Sequence, residues 1–452
     1  MIKLSQHISL FIFFSLTSLV AQESATKNKY GSLSGQVRSF YMNTVNKDSL
    51  KDFEALALGG HLKYQYRINE NLKFGIAGYT SVNTNIQDLS IPDPTTNRTS
   101  RYEQGLFDVT NPDKYIILLL GELYLNYKFK QHNITLGRMK FNSPLVNGQD
   151  GRMIPSLFQG IDYEFNLSTK NSYRLAVFNR IAPRSTSRFY GIGESIGTYP
   201  VGRNWEGRTS LYQGNTHSDF LAIANVNFAI SKHIDLKAWN YYVDNISNSL
   251  YLNPKIRVSN QTDIQLEWLH QNKIGNGGNP IDSLQYFRAN SSNLLGVQLH
   301  HKWNETKSSV SLSYNYILPH GQYIFPRSWG REFLFSFQKR ERSEGSANNH
   351  AIVFYYDQTI DFNPNGSNIQ TSISAGHHWK PEVTNAVQNK YAFPDYTQIN
   401  LNIFLNSQKL KNLKPELLLV AKFSGNDVPN NPNLYFNKTD LFLANLILNY
   451  NF

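Results

Sequence analysis

Phe442, Ala444, Leu446, Leu448, Tyr450 and Phe452 occupy every second position up to the end of the chain, and Asn445, Asn449 and Asn451 sit between them. A period of two places successive side chains on opposite faces of a strand. One face here is apolar and ends in an aromatic, while the other is rich in amides. The same alternation recurs upstream. Val310, Leu312, Tyr314 and Tyr316 oppose Ser309, Ser311, Ser313 and Asn315; Ile399, Leu401, Ile403 and Leu405 oppose Gln398, Asn400 and Asn402; Leu295, Val297 and Leu299 oppose Gly296, Gln298 and His300. Each run is about ten residues, the length of a tilted strand that crosses a bilayer.

Soluble two-sheet proteins alternate as well. What separates this chain from them is the wet character of the polar face and the spacing of the connectors. Short, turn-rich connectors (Arg67 to Asn71, Lys130 to Asn133, Ser231 to His233, Ser259 to Gln261, Asn304 to Thr306, Asn363 to Gly366) alternate with long ones near 85–113, 142–157, 182–218, 272–292, 319–348 and 425–438. Short periplasmic turns with long outer loops characterise bacterial barrels. The expected fold class is therefore all-β, a transmembrane antiparallel β-barrel of about eighteen strands, with sixteen as the neighbouring even count. On this count residues 142–157 form the third outer loop.

Composition agrees. Mean hydropathy is −0.44 although 13% of residues are aromatic, as expected where only alternate residues meet lipid. Beyond residue 21 the longest strongly apolar run is Ile116 to Leu120, too short for a spanning helix. A membrane-embedded form must then be a closed barrel, which satisfies every backbone group internally. With no cysteine in the chain, disulfides, thiolate metal sites and a cysteine nucleophile are excluded. The net charge of +11 comes without a Lys/Arg-rich run, which argues against nucleic acid as a partner and leaves anionic lipid or an anion-attracting pore.

The N-terminus has the three-part form of a secretory signal: Lys3, the apolar stretch Ile8 to Leu19, and a cleavage point at Val20-Ala21 before Gln22. Residues 1–21 are expected to be a cleaved signal peptide and 22–452 the barrel domain, located in the outer membrane of a Gram-negative-type bacterium. The terminal strand ending in Phe452 has the form read by barrel-assembly machinery.

A channel selects by the charges that line it and by whatever narrows it. A charge on the lipid face near the midplane costs about 2–4 kcal/mol, so charged residues in strands are expected to point inward. Opposite the outward faces of their strands lie Arg38, then His61, Lys63 and Arg67, then Arg174 and Arg180, then Lys255 and Arg257. Glu122, Asp263 and Glu267 have the same parity. Strict alternation sends Arg138 and Lys140 outward with Ile134 and Leu136, unless a bulge intervenes near Gly137 or the pair lies above the lipid.

The segment Gly137 to Gly160 reads GRMKFNSPLVNGQDGRMIPSLFQG. Its Gly-Arg after a strand, Pro144-Leu145, Asp150-Gly151-Arg152 running into Ile154-Pro155, and Phe158-Gln159-Gly160 resemble the OprD-type family of outer-membrane porins. Arg38 followed by Phe40-Tyr41-Met42 resembles that family's opening strand. The two segments cover roughly a tenth of the chain. The resemblance implies an eighteen-strand barrel whose third and seventh outer loops fold inward, a ladder of basic residues along the pore, and passage of small, mostly carboxylate-bearing solutes. Arg38, Asp150 and Arg152 carry over residue by residue; Lys63, Arg67, Arg174, Arg180 and Arg257 rest on parity. The seventh loop, near 319–348, holds Phe325 to Glu332 and Lys339 to Arg342. It reads either as an ordered loop tied by ion pairs or as a solvated loop holding lipopolysaccharide phosphates.

No catalytic, metal-binding or cofactor motif emerges. His300-His301 and His377-His378 are neighbours in strands and point to opposite faces. The expected function is passive, substrate-selective diffusion of small polar solutes through a basic-lined constriction, by a monomer or loose trimer. Two alternatives remain open: a barrel-embedded lipid hydrolase, and a non-conducting structural or adhesive barrel.

Overall fold

The computed structural model describes residues 30–111, 114–148, 151–198, 201–363, 366–425 and 430–452. The segment read as a signal peptide and Asp150 lie outside the described residues.

Each alternating run forms a strand, and each strand pairs antiparallel with its neighbours in a single closed sheet. The wall consists of β1 (Gly31–Asn46), β2 (Phe53–Arg67), β3 (Leu72–Asn83), β4 (Ile116–Phe129), β5 (His132–Met139), β6 (Leu157–Asn166), β7 (Ser172–Ala182), β8 (Leu221–Ala229) and β9 (Ile234–Val243), followed by β10 (Ser247–Arg257), β11 (Thr262–Lys273), β12 (Ser291–Trp303), β13 (Ser308–Ile317), β14 (Asn349–Asn363), β15 (Ser367–Trp379), β16 (Tyr396–Asn406), β17 (Leu413–Ser424) and β18 (Leu441–Asn451). That makes eighteen wall strands. A further two-residue segment, Tyr190–Gly191, pairs only with the end of β7. Two outer connectors, 47–52 and 244–246, are short, so the long–short alternation of connectors is not strict.

The terminal strand closes the ring. β18 pairs with β1 from Gln36↔Asn451 to Asn46↔Leu441, which leaves no sheet edge to satisfy in lipid. Phe452 extends the ladder: its carbonyl accepts from Gly35 N at 2.9 Å, and its amide donates to Gly35 O at 3.1 Å. Gly35 allows this contact, because a Cβ there would lie 2.4 Å from the Phe452 ring.

The outward face is apolar and exposed: Leu118 at 69%, Leu175 at 57% and Leu136 at 53%. In a soluble protein this inversion would be a liability; against lipid it is the stabilising surface. Buried apolar residues gather inside the outer half of the barrel, where loops pack onto the wall. One such group contains Phe141, Phe158, Phe178, Tyr241 and Trp329. Among the described residues no helix is long and apolar enough to cross a membrane.

Of the three register slips among the described residues, one lies at the turn end at Asp361/Asn363, and the other two reset the parity of charged residues. Between β3 and β4 the register slips at Ala77/Gly78, with Glu122 opposite Ala77 and Leu120 opposite Gly78. Gly121 is the extra residue. Leu118 and Leu120 face lipid, and the slip turns Glu122 into the lumen instead of onto their face. Between β6 and β7 the register slips at Gln159/Gly160, so that Phe178 opposes Gly160 and Arg180 opposes Gln159. Asn179 is the extra residue here. Directly opposed residues share a face. Leu123 opposes Arg138, which opposes Gln159, which opposes Arg180. Arg180 is therefore on the outward face, at the loop end of its strand. Strict alternation from Leu175 and Val177 placed it inside, and the bulge reverses that placement. Arg138 joins it outside, donating from Nε to Gln159 Oε1 at 3.0 Å. Lys140 lies past the end of β5 and turns inward, with Nζ 5.6 Å from the centre of the Tyr79 ring.

Candidate functional site at the constriction

The third outer loop (140–156) and the seventh (318–348) both fold into the barrel. The seventh is stitched to the wall by backbone and amide groups. Phe335 N donates to Glu267 Oε1 at 2.9 Å and Ser336 N to Asn315 Oδ1 at 2.7 Å. Gln398 Nε2 donates to Lys339 O at 2.7 Å. Trp329 is fully buried, and its Nε1 donates to Ser195 Oγ at 2.7 Å. Of the two readings of this loop, the ordered, ion-paired one holds. Arg327 pairs with Glu344 at 2.5 Å, and Glu341 pairs with Arg101 at 3.1 Å and Lys422 at 2.9 Å.

The two loops meet at Gly151. Its carbonyl accepts from Arg152 Nη1 at 2.8 Å and from Arg340 Nη1 at 3.2 Å. A Cβ on Gly151 would sit 2.3 Å from Arg331 Nη2, so only glycine lets that guanidinium lie on the backbone. Arg38, buried on the inward face of β1, donates from Nη1 to Arg152 O at 2.6 Å and from Nε to Asn449 Oδ1 at 2.6 Å. Arg38 thus holds the third loop by its backbone.

Around this junction lies a cavity of about 90 Å³, room for several waters or one small planar anionic group. Eight cationic side chains line it: Arg101, Arg152, Arg184, Arg327, Arg331, Lys339, Arg340 and Arg342. Two carboxylates oppose them, Glu341 and Glu416. Phe337, Leu418 and Ile447 add an apolar side. Arg340 Nε and Arg342 Nη2 are buried without a hydrogen-bond acceptor among the described residues.

The crowding of like charge shows in the proton affinities. Burial first, and then Arg331, pushes the Arg340 guanidinium down to about 9. Burial, Arg184 and Arg327 push Arg342 down to about 9. Burial opposes the charge on Glu341, but Arg101, Lys422 and Arg327 outweigh it and hold that carboxyl well below the usual range.

The wall residues chosen by parity tell a different story. Lys63 faces inward and pairs with Glu122 at 2.6 Å. Arg174 faces inward and pairs with Asp162 at 2.6 Å and Glu164 at 3.2 Å. Its guanidinium also lies 4.0 Å from the centre of the Phe141 ring and donates to Asn142 O at 3.2 Å, bracing the base of the third loop. Arg257 pairs with Asp235, and its neighbour on the same face, Lys255, with Asp263 at 2.9 Å. Arg67 is on the inward face at the turn end of β2, exposed. Arg38 and Arg152 come together at the constriction; Lys63, Arg67, Arg174, Arg180 and Arg257 do not join them.

Most of the cluster was missed from sequence because it sits on loops, where alternation gives no direction. The signal available was the density of Arg and Glu beside Trp and Pro at 325–342.

The family model described as outer membrane porin, OprD family, matches residues 107–323. Over those residues, just under half of its length, the chain resembles the OprD family. Its barrel superposes on solved OprD-type structures of low sequence identity. OccAB4 of Acinetobacter baumannii gives a TM-score of 0.65 at 13% identity, over 95% of this chain and 100% of that one. OpdO of Pseudomonas aeruginosa gives 0.63 at 17%, over 94% and 97%. The outer membrane protein opdK of Pseudomonas aeruginosa gives 0.66 at 12%, over 94% and 99%. A search of curated protein sequences gives no match. The structural likenesses are of fold: a closed barrel of the kind those outer-membrane proteins have.

Proposed function

We propose that this porin passes small polar solutes bearing a carboxylate, guided by the guanidinium cluster where the third and seventh loops meet. One observation carries the reading: eight cationic side chains face two carboxylates around a cavity of about 90 Å³. Buried charges attract most strongly where water is scarce and one sign of charge outnumbers the other. The wall cations Lys63, Arg174, Lys255 and Arg257 contribute less, because each has a carboxylate in contact, as do Arg101, Arg327 and Lys339 within the cluster. Selectivity in this reading resides in loop residues Arg152, Arg331, Arg340 and Arg342, with Asp150 on the same loop as Arg152. Export through residues 1–21, assembly through the Phe452 strand and contact with lipopolysaccharide at the outer rim belong to the same proposal.

The test is reversal potential in planar bilayers under a KCl gradient. Anion preference is expected, falling by several-fold in Arg331→Ala/Arg340→Ala. Cation preference in the unmodified channel refutes the guiding role.

A further inference from the structure

Around much of the barrel the loop end of the outward face carries aromatic and histidine rings. Phe220 stacks on Tyr242, and Tyr316 on His350 with 4.0 Å between centres. Such a girdle is expected where a barrel meets the membrane surface. One sector departs from it. Across β5, β6 and β7 the row at the same end reads Arg138, Gln159 and Arg180, each opposite the next and all outward. The bulge at Asn179 is what turns Arg180 to this side. The next row toward the membrane centre is apolar: Leu136 opposes Ile161, and Ile161 opposes Val177, exposed at 53%, 49% and 48%.

Arg138 is held but not neutralised. Its Nε donates to Gln159 Oε1 at 3.0 Å, its Nη1 to Leu120 O at 3.3 Å, and its guanidinium lies 4.5 Å from the centre of the Phe189 ring. A guanidinium has five N–H donors, so most of this fork stays available. Arg180 is exposed and has neither a hydrogen bond nor an ion pair among the described residues. The carboxylates nearby are already engaged. Glu194 pairs with Arg188 at 3.2 Å and accepts from Gly191 N, while Asp108 accepts from Ser187 Oγ and Thr110 Oγ1. Gly191 opposes Arg180, so Arg188 extends the basic sector at its outer side.

We infer that this sector is a lipopolysaccharide site: the phosphates of lipid A meet Arg138 and Arg180, and its acyl chains lie along Leu136, Ile161 and Val177. The inference rests on the outer-rim contact stated above, to which it gives a location, and is independent of the guiding cluster. A cation on the lipid face is unfavourable unless an anion meets it there. Water supplies no counter-charge, whereas an anion fixed to a lipid supplies it at the depth of the row. Guanidinium forks match phosphate oxygens in bidentate geometry. The two arginines are two strands apart, about 10 Å along the sheet. A diglucosamine headgroup with a phosphate at each end bridges that span; the single phosphate of a glycerophospholipid reaches one arginine at a time. Gln159 lies between them with its Oε1 taken by Arg138, which leaves its amide N–H groups for the headgroup.

The experiment uses the full chain purified in detergent, with native mass spectrometry reading bound lipid. The probes are bisphosphorylated lipid A, its dephosphorylated form with the same acyl chains, and phosphatidylglycerol. Bisphosphorylated lipid A is expected to bind at least roughly tenfold more tightly than either of the others, as expected for charge-assisted hydrogen bonds. In Arg138→Gln/Arg180→Gln that advantage should fall to about twofold or less, while the reversal potential in a KCl gradient stays unchanged, because both side chains lie outside the pore. Should the double variant fail to assemble, Arg180→Gln alone changes an exposed side chain without partners and should cost roughly threefold in lipid A affinity. If the unmodified channel prefers bisphosphorylated lipid A and the variants keep that preference, the rim contact stands and this site is refuted. If phosphatidylglycerol binds as tightly as bisphosphorylated lipid A, the assignment to lipopolysaccharide is refuted. If all three probes bind alike, the rim contact fails with it.

Discussion

Glu341 is the residue whose removal tests the architecture of the constriction most directly. It is 2% exposed at the tip of the seventh loop. It binds Arg101 from the second outer loop at 3.1 Å, and Lys422 from β17 at 2.9 Å. Lys422 is fully buried, and its other two acceptors are Tyr102 Oη at 3.0 Å and Arg340 O at 3.1 Å. Glu341→Gln keeps the shape and removes the charge. The Lys422 ammonium then loses its only ionised partner at hydrogen-bond distance among the described residues, beside a cluster that falls to one carboxylate for eight cations. Breaking a buried pair by removing one partner costs about 3–5 kcal/mol, against about 0.2–1 kcal/mol for an exposed pair. Arg101 is 23% exposed and regains some water, so a loss of about 3 kcal/mol is expected. The measurement is guanidinium unfolding of the reconstituted protein, followed by tryptophan fluorescence, since Trp329 is buried in the same loop. Adding Lys422→Met should restore about 1–2 kcal/mol by removing the stranded charge. A loss under about 1 kcal/mol for Glu341→Gln, or no recovery in the double variant, refutes the view that this triad pins the loop.

Further outcomes follow from neighbouring features. Arg257→Gln removes a wall cation that already has Asp235 as a partner; anion preference in KCl should change by less than about twofold, whereas Arg331→Ala/Arg340→Ala changes it several-fold. Gly105→Ala places a Cβ 2.8 Å from Arg152 Nε, so single-channel conductance should change, while Gly78→Ala, with open space around it, should leave it unaltered. Glu332 is buried within the seventh loop and accepts from Ser343 N and Glu344 N. Burial raises its carboxyl to about 7, above the unfolded value near 4.3. The folded loop thus favours the protonated form, and its stability is full below about pH 4.3 and lost as pH rises through about 7. Loop opening, seen as current noise or proteolysis at 318–348, should increase from pH 5 to pH 8, and Glu332→Gln should abolish that dependence.

How much of this was legible beforehand differs between wall and loops. Arg38, Lys63, Arg174 and Arg257 were placed inward by alternation and do face inward, because a period of two fixes direction whenever the strand is regular. Arg180 was misplaced by the same rule, since one extra residue at Asn179 reverses every face beyond it. Arg331, Arg340 and Arg342 had no direction at all, because a loop has no period.

The sequence by itself determined the barrel, its closure through the Phe452 strand, an even strand count of sixteen or eighteen and the numbering of the loops. All of these follow from local alternation and the requirement that lipid-exposed backbone be paired. The tertiary structure alone decided where like charge concentrates. The wall cations found their carboxylates on adjacent strands, and the loop cations converged from four loops onto one small cavity. Charge compensation is a property of contacts between distant residues, such as Arg101 or Lys422 with Glu341, and no reading of local pattern contains it.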